Sequence, residues 1–246
     1  MSYNFLHILI FLLIIQQNGF ANNNTKTDKW ENDLLKIYNG TVVYTSSELL
    51  KMNNELDRSN IVERSLWGMM VIQTSFINPE ESMLLNEIHQ ALSSLFQENL
   101  KISNKKNTAK EHYYAGRFTF YLLGYSTFYK IPKASFHDIY IQYRTLLSSV
   151  IYKNQGYINN ANILIADGLS RPTDFNTNNW NTFILKSTDD NILSSVPIEF
   201  QYRAYLAKAR ILIKTNRIKE AQILIKNAIN IFPNGAAEAI ILNNSI

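Results

Sequence analysis

Two stretches, Gln142–Pro172 (QYRTLLSSVIYKNQGYINNANILIADGLSRP) and Gln201–Pro233 (QYRAYLAKARILIKTNRIKEAQILIKNAINIFP), can be laid on one another with a single gap. Both open with Gln-Tyr-Arg and run through a helical pattern to a turn, at Asn154-Gln155-Gly156 in the first and Thr215-Asn216-Arg217 in the second. A second apolar pattern follows, built on Ala161-x-Ile163-Leu164-Ile165 or Ala221-x-Ile223-Leu224-Ile225, and each copy closes on a proline, which cannot continue a helix. Self-similarity at this period marks helical repeats, because one helix pair cannot bury its apolar face alone and stacked pairs can. The expected fold is therefore all-α, antiparallel helix pairs stacked into a solenoid over 135–246.

The pattern resembles the tetratricopeptide repeat, a helix, a tight turn and a helix within about 34 residues, with small side chains where the helices cross. In the second copy Ala209, Ala221, Ala228 and Pro233 fall at the small and terminal positions, with Tyr205, Leu212 and Ile225 at large apolar ones. Ser149, Tyr152, Gly156, Ala161, Ile165, Gly168 and Pro172 take comparable places in the first, and Phe120 with Leu123-Gly124 makes a weaker half-copy. Lys208 stands where the family has Leu, and a spacer, Thr173–Phe200, separates the copies. That spacer reads either as a loop with a short helix at Trp180–Leu185 or as a degenerate repeat. The resemblance implies a concave face lined by first helices that holds another protein or peptide. The family's clamp for a terminal carboxylate is not reproduced, since its basic and Asn positions do not line up.

Outward from the repeats, helical signals continue through 59–130. Asn60 and Glu63 have the spacing of a capping box, and Asn78-Pro79-Glu80-Glu81 supplies an N-cap, a first-turn proline and two acids suited to the helix dipole. Leu84, Ile88, Ala91, Leu92 and Leu95 then repeat at helical steps. The periodicity predicts helices near 60–77, 79–99, 109–130, 135–154, 157–170, 198–215 and 217–231. Residues 22–58 read as a short, irregular N-terminal segment with short helices, and Thr41–Tyr44 (TVVY) is the one strand-like run.

At the amino terminus FLHILIFLLII (Phe5–Ile15), followed by QQNGFA, has the layout of a secretory signal peptide. It is about half the ~20 apolar residues that a membrane span needs. Cleavage after Ala21 is expected, with 1–21 removed and the protein periplasmic or secreted. MSYN carries no Lys or Arg, so an uncleaved N-terminal anchor is the alternative. After the leader no integral membrane span is expected, in keeping with 18% charged residues and a mean hydropathy of -0.16.

With no cysteine in 246 residues, disulfides, thiolate metal sites and a cysteine nucleophile are excluded. Lys and Arg number 24 against 20 acids, a mild excess spread along the chain that suits solubility and not nucleic-acid binding. The basic run Lys101–Lys110 reads as a solvated linker.

The candidate partner-binding residues lie on the repeats. Arg203, Arg210 and Lys214 recur on one side of the second copy's first helix, opposite Tyr205, Ala209 and Leu212, and Arg144 and Lys153 hold the corresponding places in the first copy. As a groove they suit an acidic or carboxylate-bearing peptide; as a plain surface they form a solvated helix face. A dense aromatic window, Tyr113, Tyr114, Phe118, Phe120, Tyr121, Tyr125, Phe128, Tyr129, Phe136, Tyr140 and Tyr143, reads either as core filling or as a recognition surface for sugar or peptide. No phosphate loop, HExxH, GxSxG or EF-hand motif is present. His89, His112 and His137 are not spaced to share a metal and read as surface or capping residues. Neither catalytic residues, metal nor cofactor is expected. The function so read is an exported helical-repeat adaptor or scaffold of the cell envelope, with an exported helical enzyme or a carbohydrate- or peptidoglycan-binding protein as the alternative.

Overall fold

A computed structural model of the chain describes residues 26–38, 40–42, 44–77, 85–102, 106–153, 156–171, 180–233 and 237–246. Among these the fold is all-helical, with twelve helices and no strand. They are α1 (Lys26–Tyr38), α2 (Ser46–Asn54), α3 (Ile61–Ile77), α4 (Leu85–Asn99), α5 (Ala109–Tyr125), α6 (Phe136–Tyr152), α7 (Ile158–Ser170), α8 (Asn181–Ser187), α9 (Asp190–Leu193), α10 (Ile198–Lys214), α11 (Ile218–Ile231) and α12 (Ala237–Asn244). The expected leader with its cleavage site at Ala21, the expected helix start at Pro79, the turn residues Asn154 and Gln155, and Pro172 lie outside the described residues.

Local chemistry sets several of the helix starts. Thr45 before α2 and Thr108 before α5 each accept from the backbone N–H three residues on, while Glu48 and Glu111 reach back to the cap N–H, so two otherwise orphaned donors are satisfied at each end. Ser135 caps α6 by accepting from the Asp138 N–H. Asn60 forms only half of the expected box. Its Oδ1 accepts from the Glu63 N–H at 3.1 Å, but the Glu63 carboxylate is drawn instead to Lys26 Nζ at 2.6 Å and to the Asp57 N–H at 3.2 Å. The Asn60 N–H that the carboxylate would cap already donates to the Asp57 carbonyl at 3.0 Å, which leaves the carboxylate to the opposite charge of Lys26.

α3 is buried on every side, Leu66, Trp67, Met69, Met70, Val71 and Ile72 all being 0% exposed, as suits a helix that is apolar all round. The Trp67 indole donates to the Leu49 carbonyl at 2.7 Å, fixing α2 on α3. The N-terminal segment is more regular than its sequence suggests: α1 lays Trp30, Leu34 and Ile37 against α3 and joins the main core. Each such burial contributes about 1.5–3 kcal/mol. Thr41, Val42 and Tyr44 form no strand.

Packing then proceeds from α3 to α5, α5 to α6, α6 to α7, α7 to α10, α10 to α11 and α11 to α12, with α8 lying on both α7 and α10. The spacer thus separates the two copies in sequence but not in space. Small residues permit the close crossings. A Cβ on Gly116 of α5 would stand 2.6 Å from Leu147 Cδ2 of α6, and one on Gly168 of α7 would stand 2.2 Å from the Tyr143 hydroxyl of α6. Most of the aromatic window fills this core: Tyr113, Tyr114, Phe118, Phe120, Tyr121, Tyr125, Tyr140 and Tyr143 are buried, Tyr129 and Phe136 are partly so, and Phe128 is exposed.

Candidate functional site

Arg203 and Arg210, both on α10, are brought together, but they face this chain's own carboxylates. Arg210 Nη1 donates to Asp167 Oδ1 of α7 at 2.6 Å and to Ser170 Oγ at 3.0 Å, and its Nη2 donates to Glu238 Oε1 of α12 at 2.5 Å. Arg203 Nη1 reaches Glu238 Oε2 at 3.1 Å and Asp167 Oδ2 at 3.5 Å. Arg171, just beyond α7, spans the same two acids at 3.1 Å to Asp167 and 2.8 Å to Glu238. Burial alone pushes the Asp167 carboxyl up. Arg171, Arg210 and Arg203 overcome that and hold it at about 2. Glu238 is lowered by the same balance, burial opposing Arg171 and Arg210.

A second cluster joins α1, α5 and α10. Arg117 of α5, 1% exposed, donates to Glu31 Oε1 of α1 at 2.7 Å and to Glu199 Oε2 of α10 at 2.6 Å. The Tyr114 hydroxyl donates to Glu31 and the Tyr121 hydroxyl to Glu199. Burial works against the Arg117 charge, but Glu199 outweighs it and the guanidinium is held protonated. Arg203 links the clusters, its guanidinium lying 5.6 Å from the Phe120 ring centre, 5.5 Å from that of Tyr121 and 5.8 Å from that of Tyr202. Taken together, Arg117, Arg171, Arg203 and Arg210 balance Glu31, Asp167, Glu199 and Glu238 in charge. That neutrality is what makes a buried ionic spine tolerable, since a lone buried charge costs several kcal/mol.

The remaining candidate residues are dispersed. Lys214 is exposed and donates to the Ser170 carbonyl at 3.2 Å. Arg144 is half-buried, 5.5 Å from the ring centres of both Tyr140 and Trp180. Lys153 follows the end of α6 as its C-cap. Lys208, out of place in the repeat pattern, pairs with Asp190 of the spacer at 3.3 Å. Sequence reasoning missed Asp167, Arg117 and Glu199, although each is an isolated charge within an apolar helical run, a signal of a buried ion pair.

His112 is buried and its Nδ1 donates to the Thr108 carbonyl at 2.8 Å, while His89 Nε2 lies 3.1 Å from the Tyr125 hydroxyl. Burial lowers the pKa of both. Among the described residues no group of three or more His, Asp or Glu is placed to hold a metal, and no helix is long and apolar enough to cross a membrane.

Away from the spine, α2 and α4 both pack on α3 and leave a cleft of about 620 Å³ between them. Leu50, Asn53, Asn54, Asn86, Glu87, Gln90 and Ala91 line it, and it is open to solvent along its length. No family model, curated protein or solved structure matches the chain.

Proposed function

We propose that the chain is an exported helical-repeat protein that holds a protein partner in the cell envelope. One observation carries this reading: the carboxylates of the buried spine, Glu31, Asp167, Glu199 and Glu238, are saturated by arginines, while the cleft between α2 and α4 is open and has a single carboxylate in its lining. General acid and base chemistry on a glycoside asks for two uncommitted carboxyl groups about a substrate, and a cleft lined mainly by amides suits binding. The packing order α6, α7, α10, α11, α12 is the order that stacked tetratricopeptide-like pairs adopt, which favours the solenoid form of the adaptor. The leader at 1–21 is the reason for placing it outside the cytoplasm. A sugar-binding role draws less support, because no aromatic ring lines the cleft.

The test is affinity capture from envelope extract with the mature chain immobilised. The expected result is a discrete protein retained in fixed ratio through a salt wash. Retention, or hydrolysis, of peptidoglycan fragments with no protein retained overturns the reading.

A further inference from the structure

The cleft between α2 and α4 is lined by four side-chain amides, Asn53, Asn54, Asn86 and Gln90, from two helices. A primary amide carries an acceptor oxygen and two N–H donors, the same pair of functions as a peptide bond. Among the described residues the side chains of Asn54, Asn86 and Gln90 make no hydrogen bond to the rest of the chain, and Asn53 spends its Oδ1 on the Arg58 Nη2 at 2.9 Å and keeps both N–H donors.

The spacing of these amides is compatible with an extended chain. Asn86 and Gln90 are one helical step apart on the same face of α4, a rise of about 6 Å. An extended peptide turns successive N–H and C=O groups to opposite edges and repeats on one edge every second residue, about 6.7 Å. The two amides therefore meet alternate residues of a strand laid along α4, while Asn53 and Asn54 meet its other edge from α2. Leu50 and Ala91 give the floor an apolar surface for one side chain, and Glu87 is the one charged lining residue.

We infer that this cleft is a binding site for an extended, unfolded peptide segment of a partner, held through its backbone and preferring a Lys or Arg beside Glu87. The inference rests on the adaptor reading and supplies its partner class. Because the amides address the backbone, the site accepts varied sequences, with Glu87 adding the bias for a cation.

The test is direct titration of the full mature chain with a labelled decapeptide of alternating Lys and Thr. Two control peptides accompany it, the same peptide N-methylated at alternate residues and a Glu-Thr decapeptide. The expected result is saturable binding of the Lys-Thr peptide, weakened at least tenfold by Asn86→Ala with Gln90→Ala, at least tenfold by N-methylation, and reversed in charge preference by Glu87→Lys. These side chains are exposed, so circular dichroism and the unfolding midpoint should match those of the parent. Absence of saturable binding, or equal binding by parent and double variant, overturns the inference, as does equal binding of the N-methylated peptide. If envelope capture retains a protein partner equally with parent and double variant, the adaptor reading stands and the peptide site fails.

Discussion

Arg117 is almost wholly removed from water, and it stays charged because two carboxylates and the face of the Phe200 ring meet it there. Truncating it strands Glu199, itself 3% exposed, so Arg117→Ala should cost about 3–5 kcal/mol in urea unfolding. Replacing the pair together, Arg117→Met with Glu199→Leu, should cost much less, because both desolvation terms disappear. Equal losses for the two variants would show that Arg117 acts through packing alone. The sequence makes such charges visible but not their partners: Arg117 bonds residues 86 and 82 positions away, and no local pattern encodes that. For the same reason Arg203 and Arg210 read on a helical wheel as one cationic side, although Glu238, from a helix beyond the repeat, completes their shell.

At the scale of elements the helix starts and lengths were largely legible, because capping residues and apolar steps act within a few residues of each other. α3, α6, α7, α10 and α11 begin and end within two residues of their expected bounds, while α5 begins as expected and stops at Tyr125, five residues short of 130. α12, eight residues long, was not expected, and α1 was expected only as one of the short helices of 22–58, since the stability of both comes from tertiary burial. Two predictions belong here. Gly168→Ala places a methyl against the Tyr143 hydroxyl, whose ring is 0% exposed and cannot swing away. It should cost about 1–3 kcal/mol, and Tyr143→Phe in the same chain should restore part of that loss in thermal unfolding. Independent, additive losses would contradict the close crossing of α6 and α7. Glu238→Gln removes the charge that three arginines hold, so backbone amide exchange in 237–244 should quicken several-fold while the remaining helices exchange as before. Unchanged exchange there would mean that Ala239, buried at 0%, is enough to keep α12 in place.

For the whole molecule the spine ties the first helix to the last packed ones, so its titration should govern acid stability. Asp167 and Glu238 have folded-state pKa values below their ordinary ones. Their contribution is therefore fully present above the ordinary carboxylate range and is lost as the pH falls toward about 2 for Asp167. Unfolding free energy should be level near neutrality and decline through that acid window, and Asp167→Asn should flatten the decline while lowering stability at pH 7. A chain whose stability rises on acidification contradicts this.

The spine also decides where a partner can be held. With Arg203 and Arg210 committed internally, the open amide-lined cleft is the surface on which the proposed peptide site depends. The most direct measurement places a photo-crosslinking amino acid at Gln90, and separately at Lys214, in the chain expressed in its own cells. The account predicts a discrete crosslinked protein from position 90 and none from position 214. A crosslink from position 214 alone, or from neither, contradicts it.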